Sequence, residues 1–457
     1  MTRYVLAPIL GASDDFSPKP RGEEEIHRFD VLPAAHLSLG IDSALAQLKQ
    51  ASGVPTGEAL ELLLLASLIS IADTRINRAD ASQDGWTREI GIYLPVQDIA
   101  RWAAAKPILE RMLRFLTGDI WVIDFRDWKG TLGRPTGQTS LLKPKFSAIS
   151  LFSGGLDSLI GAIDKLQTAN EEILFVSHKA DGSISKPQSE LFGEVAKAFP
   201  KRAPKRLSLP TSHVPNVFPD LGSEDSTRGR SFLFVALAAF AGSATGEPFP
   251  IYVPENGFIS LNIPLDPTRL ASNSTRTTHP YYFHRWNELL EVLGILGKVQ
   301  NPYWNKTKGE MIVDCKRPDV LKQTAKMSIS CAKPSHGRWE RATEKHCGYC
   351  LPCIIRRASF LRGIKVMSDP TEYRIPDLKT ADLDSTTKKG EQVRGFEFAI
   401  ARLKQKPSRA RAFVYKTGPL TEDLSRIAQL EGVYRRGMEE VATFLDGVET
   451  HSSKADP

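Results

Sequence analysis

The chain has 457 residues, 41% of them hydrophobic and 25% charged, with a formal net charge of +7. That length supports two or three domains around a substantial core, and the ordinary composition argues against disordered, collagen-like and disulfide-stapled classes. The longest apolar run, residues 59–72, carries Glu61 and is shorter than the roughly 20 residues of a bilayer-spanning helix, so no membrane partner is expected.

Strand-like 4–10 follows Met1-Thr2-Arg3 without a secretory leader, and the five cysteines show metal-type spacing, so a reducing cytoplasm is expected. Residues 1–140 read as an α+β domain of unassigned role. Helical 43–50 and 59–76 precede strand-like 89–94, helical 100–116 and strand-like 120–125. Trp86, Trp102, Trp121 and Trp128 gather there, and core packing is the commoner reason for such a cluster than an interface. Residues 130–144, with Gly130, Gly133, Pro135, Gly137 and Pro144, read as a linker.

A second domain, 145–325, opens on FSAISLFSGGLDSLIGAI at 146–163. Phe146, Ile149, Leu151 and Phe152 predict a buried parallel strand, and the apolar positions after Ser158 predict a helix. Between them lies Ser153-Gly154-Gly155-Leu156-Asp157-Ser158. Two glycines allow a tight turn, and a helix start offers unpaired N–H groups to an anion. The loop is not the G-x-x-x-x-G-K-[ST] motif; it resembles the pyrophosphate loop (PP-loop) of enzymes that cleave ATP between its α and β phosphates. A glycine turn with no ligand is the bland alternative. Further along, 173–177 reads as a strand, Arg228 and Arg230 precede an apolar helix, and Glu255-Asn256-Gly257 follows strand-like 251–253.

Cys331, Cys347, Cys350 and Cys353 define a module over 326–368. Three cysteines in seven residues with a fourth upstream fit a closed, structural four-sulfur Zn²⁺ shell, against a redox pair or a catalytic persulfide cysteine. Cys315 reads as an inert buried thiol, and the flanking His336 and His346 are not expected to be ligands. The C-terminal extension, 369–457, reads as helical. It has a basic segment (Arg394, Arg402, Lys404, Lys406, Arg409, Arg411) and a last helix from Thr421. Leu424, Ile427, Leu430, Tyr434, Met438, Val441 and Leu445 make an apolar stripe expected to pack on the protein's own core, with partner docking as the alternative.

A PP-loop followed nearly 200 residues later by C…CxxCxxC resembles the QueC family, the 7-cyano-7-deazaguanine synthases. The resemblance covers 146–363. Its added N- and C-terminal regions are similar in layout to the QueC-like subunits (QatC) of bacterial Qat anti-phage systems. It implies an α/β fold with a doubly wound, mostly parallel sheet and an enzyme that adenylates the carboxylate of a 7-carboxy-7-deazaguanine-like substrate. The acyl group then passes to a nitrogen nucleophile, either ammonia or an amine of a partner protein encoded by a neighbouring defence gene. Two departures mark it: Ser177-His178-Lys179 replaces an aromatic-Gly-Gln turn, and the spacer from Cys331 to Cys347 is long. ATP would lie on Ser153, Gly154, Gly155, Leu156, Asp157 and Ser158, with Val176 and Ser177 beside the adenine. Asp157 would organise the loop or hold Mg²⁺. Arg228 and Arg230 are candidates for the phosphates and Arg276 for the substrate carboxylate. Glu255, Asn256, Thr277 and His279 fall where the family meets its substrate. Alternatives are a tRNA- or nucleotide-modifying adenylation enzyme and a catalytically quiet nucleotide-binding scaffold. A nucleic-acid partner has only the mild positive charge behind it.

Overall fold

The computed structural model describes residues 2–31, 37–38, 41–50, 53–82, 84–130, 145–179, 182–210, 212–213, 222–224, 228–266, 276–332 and 346–453. Most of the expected linker, with Gly133, Pro135, Gly137 and Pro144, lies outside them, as does His336.

Two parallel sheets organise the chain. The first holds β1 (Arg3–Ile9), β2 (Glu24–Asp30), β3 (Glu89–Val96) and β4 (Ile120–Asp127) in the order β2-β1-β3-β4. Parallel pairing requires crossovers, so this region is α/β, whereas α+β was expected. The second sheet holds β5 (Ala148–Leu151), β6 (Ile173–Lys179), β7 (Lys205–Pro210), β8 (Phe249–Tyr252) and β9 (Gly297–Gln300) in the order β9-β8-β5-β6-β7. All four of its ladders are parallel. The order reverses between β5 and β8. In an open α/β sheet the crevice outside the strand carboxyl ends at such a point is where ligands bind.

Helices α1 (Gly57–Arg75), α2 (Ile99–Thr117), α3 (Leu156–Thr168), α4 (Gly182–Ala198), α5 (Gly229–Ser243), α6 (Gly257–Leu261) and α7 (Pro280–Val292) accompany these sheets. After them come α8 (Lys308–Val313), α9 (Leu351–Arg362), α10 (Lys388–Gln405) and α11 (Ile427–Phe444). One apolar core runs from α1, α2 and the first sheet through α5 and α7 to one face of the second sheet. The other face packs on α3 and α4. Helix α1 is buried around its whole circumference because it sits against both the first sheet and α5. Its Glu61 is satisfied there by the backbone N–H of Gln97 at 2.8 Å and by Trp102 Nε1 at 2.6 Å.

A buried ion cluster reinforces this junction. Arg88 reaches Asp119 through Nη2 (2.7 Å) and Nε (3.1 Å), Asp73 at 3.1 Å and the Ile76 carbonyl at 2.6 Å. Arg78 makes a two-pronged contact with the same Asp119 at 2.7 and 2.9 Å. Asp73 also accepts the Gly229 N–H at 2.8 Å, tying the cluster to the first residue of α5.

Helices α6, α9, α10 and α11 share a third core, in which Ile427, Leu430, Tyr434, Met438, Val441 and Leu445 are buried. Leu424 departs from the expected stripe. It lies in a 3₁₀ turn ahead of α11, which begins at Ile427 rather than Thr421, and is 66% exposed. Among the described residues no helix is long and apolar enough to cross a membrane.

Candidate functional site

Strand β5 delivers Phe152 into the core, and the chain turns at Gly154, whose φ of +83° favours glycine. Helix α3 begins at Leu156 with no side-chain cap on its N-cap residue Gly155. The loop is braced by its own hydroxyls. Ser158 Oγ accepts the Gly154 N–H (3.2 Å) and donates to the Gly155 carbonyl (3.0 Å), while Ser153 Oγ donates to Ser158 Oγ (3.1 Å). The Phe152 carbonyl is held by Ser177 Oγ at 2.6 Å and Gln188 Nε2 at 3.0 Å.

Asp157, at the start of α3, meets the segment after β8. Its Oδ2 accepts Asn256 Nδ2 at 2.7 Å and the Asn256 N–H at 3.2 Å, and its Oδ1 faces Lys308 Nζ at 2.8 Å. Burial would raise its carboxyl, but the Lys308 charge and the hydrogen bonds from Glu255, Lys308 and Asn256 hold it down to about 2. Glu255 goes the other way: burial first, then the Asp157 charge, push its carboxyl well above the ordinary range. Asn256 Nδ2 also bonds Glu255 Oε1 at 3.1 Å. Ser153, Gly155, Leu156, Asp157, Ser158, Glu255 and Lys308 line a cavity of about 230 Å³ at the carboxyl ends of β5 and β8, where the strand order reverses.

Other sequence candidates stand elsewhere. Arg228 Nη1 donates to the Thr117 carbonyl at 2.9 Å and Arg276 Nη1 to the Phe115 carbonyl at 3.1 Å. Both guanidiniums thus meet the C-terminal carbonyls of α2, where the helix dipole favours cations. They also lie over the Trp86 and Phe115 rings. Neither lines the cavity. Arg230 covers Phe234, which is edge-on to His178 beyond Ser177. Val176 is buried in the core and Ser177 holds the base of the loop. Thr277 lies in the turn before α7. His279 caps α7, accepting the Tyr281 N–H on Nδ1 (3.2 Å) and facing Thr417 Oγ1 across Nε2 (3.0 Å). Burial, with Arg276 nearby, pushes it down to about 3, so it is neutral and joins the C-terminal region to α7.

Sequence reasoning missed Lys308 and Gln188. A signal for Lys308 was present. Thr307-x-x-Glu310 is a capping box, and a lysine as the first residue after the cap sits where acidic residues are favoured.

The four cysteines converge, with every pair of sulfurs within 4.8 Å. Cys331–Cys350 and Cys347–Cys353 are each 3.9 Å apart. A tetrahedron with Zn–S of about 2.3 Å has edges of about 3.8 Å, so the set fits a metal ion such as zinc. The Cys350 N–H also points to Cys347 Sγ at 3.3 Å. His346 is engaged elsewhere: its Nε2 accepts the Ser330 N–H at 3.1 Å and its ring meets Tyr373 edge-on. Burial pushes the Cys315 thiol up to about 12, consistent with an inert group. The cysteine module touches the glycine loop directly, because the Ile329 N–H, two residues before Cys331, donates to the Gly154 carbonyl at 2.9 Å.

No protein-family model, no curated protein and no solved structure matches the chain, so its function rests on the chemistry this site can perform.

Proposed function

We propose that the protein is a QueC-like, ATP-dependent C–N bond-forming enzyme with a PP-loop nucleotide domain. It adenylates the carboxylate of a 7-carboxy-7-deazaguanine-like substrate and passes the acyl group to ammonia or to a partner-protein amine in anti-phage defence in the cytoplasm. The observation that carries this reading is the cavity at the reversal of the second sheet, where the Ser153–Ser158 loop faces Glu255 and Lys308. Its volume suits the phosphate end of a nucleotide.

The substrate carboxylate attacks the α-phosphorus and pyrophosphate leaves from the loop side. The N–H groups at the start of α3 and the hydroxyls of Ser153 and Ser158 stabilise charge that grows on the leaving group. The Asp157 carboxylate is the group that would hold Mg²⁺, which when bound would supply charge neutralisation at the phosphates. A Zn²⁺ held by Cys331, Cys347, Cys350 and Cys353 would have no open position and would be structural. It would fix the segment that bonds the loop at Gly154. The N-terminal sheet and the C-terminal helices would carry the docking of a protein partner.

ATP–pyrophosphate exchange with 7-carboxy-7-deazaguanine tests the reading. Exchange that depends on the acid is the expected result; ATP binding without exchange for this or related carboxylates would favour the scaffold.

A further inference from the structure

The positive charge of the chain is concentrated in one place. From Phe398 to Thr421 there are six basic residues and no aspartate or glutamate, so this stretch alone carries six of the seven net charges. Lys404, Lys406, Arg409, Arg411 and Lys416 are exposed and Arg402 is half-buried. None of the six forms an ion pair among the described residues. The helix dipole accounts for Arg402 and Lys404, which lie in the last turn of α10. Arg409, Arg411 and Lys416 follow the helix, beyond the turn over which that effect acts. The backbone that carries them is fixed. Leu403, Ala410, Phe413 and Val414 are buried in the third core, and Thr417 Oγ1 meets His279 Nε2 at 3.0 Å.

Aromatic rings stand among these charges. Arg402 lies over both Phe398 (5.2 Å to the ring centre) and Phe413 (4.6 Å), and Lys416 lies over Phe413 (5.3 Å). Phe398 is 43% exposed and Tyr415 39%. Arg394, one turn before Phe398, extends the same exposed face of α10.

We infer that this face binds single-stranded nucleic acid, with phosphates on the basic side chains and bases stacked on Phe398 and Tyr415. Charge alone would serve any polyanion. The exposed rings beside it favour a partner that has both phosphates and flat apolar faces. An anionic membrane fits less well, because a helix lying in a bilayer surface inserts its apolar face. Val393, Phe396, Ala399 and Leu403 of α10 are already buried within the protein. The assignment is independent of the reaction proposed above, since none of these residues lines the cavity at the glycine loop.

The test uses the full chain and a fluorescent oligothymidine of about 20 nucleotides, with anisotropy as the readout. Affinity should fall as salt rises, with a log–log slope of about −4 for six phosphate contacts. Lys404→Gln, Lys406→Gln and Arg409→Gln together should reduce that slope by about 2. Phe398→Ala with Tyr415→Ala should weaken binding by about 5-fold or more at an unchanged slope, an effect that charge alone does not produce. Both sets should melt as the wild type does, because all five side chains are exposed. If either set melts lower, Arg409→Gln and Tyr415→Ala alone read out the same two effects. A wild-type chain that does not bind the oligonucleotide at low salt overturns the assignment, as do variants that bind it unchanged. A DNA duplex or polyglutamate that binds as tightly, or binding to phosphatidylserine vesicles in place of the oligonucleotide, overturns it as well.

Discussion

Two buried ion clusters differ in a way that separates support from chemistry. At the junction of the first sheet with α5, two arginines meet two aspartates, and their remaining hydrogen-bonding groups find carbonyls and backbone N–H groups. At the cavity, two acids stand beside one lysine, which pairs with Asp157, and burial with the Asp157 charge raises the spare acid Glu255 well above the ordinary carboxyl range. The first cluster is matched in charge and closed. The second is mismatched and opens on a space lined by a glycine loop. A matched cluster has nothing to exchange with a ligand. A mismatched one can redistribute its proton and cation when charge arrives.

The largest effect bearing on this comparison concerns a third dense cluster, the cysteines. Without a cation, hydrogen bonds from the other thiols hold Cys331 far below the thiol range, while contact with Cys331 pushes Cys350 and Cys353 far above it. One Zn²⁺ per chain is expected by elemental analysis. Structural zinc contributes on the order of 10 kcal/mol in small modules, so Cys350→Ser or chelation should sharply lower the melting temperature. Absence of metal, or an iron–sulfur absorption band, would refute this.

Next comes the matched cluster. Asp119→Ala strands Arg78 and Arg88 and should cost about 3–5 kcal/mol in denaturant unfolding. The mismatched cluster should respond less. In Asp157→Asn the neighbouring Glu255 can ionise and pair with Lys308, so stability should fall by less than in Asp119→Ala while AMP formation is lost. The double variant Asp157→Asn, Glu255→Gln removes that substitute. Its cost should exceed the sum of the two singles, and strict additivity in a double-mutant cycle would show that the acids do not exchange roles.

The smallest effect is a pH dependence. Burial pushes the half-buried Glu440 up to about 7 from its unfolded value near 4.5. The native state then holds a proton that the unfolded state has released. This carboxyl's contribution is therefore fully present below about pH 4.5 and is lost as pH rises toward 7, by on the order of 1–2 kcal/mol after allowing for solvent screening. Glu440→Gln should flatten the fall in melting temperature between pH 5 and pH 8; an unchanged slope would show that Glu440 does not titrate in this window.

The features legible in the sequence were those whose parts are neighbours in the chain. The glycine loop and CxxCxxC are each written in seven residues or fewer, so local spacing carries their geometry. The apolar run at 59–72 announced a buried helix for the same reason. What stayed hidden depends on partners far apart: Lys308 meets Asp157 across 151 positions, which no periodicity encodes. Arg228 and Arg276 look like anion ligands because an arginine read from the sequence carries no mark of its partner. Their partners are carbonyls of α2, 111 and 161 positions away. The parallel character of the first sheet was hidden likewise, because strands read singly do not declare their neighbours.

Helix α1 carries a consequence for biogenesis. It is buried on every side and mostly apolar, and α5, which covers one of those sides, is completed roughly 170 residues later, a delay of about ten seconds or more at ribosomal speeds of 5–20 residues per second. During synthesis, then, a sticky rod leaves the exit tunnel well before its cover exists. Heterologous expression of this chain should therefore respond more to chaperone supply and translation rate than to additives that act on the finished fold.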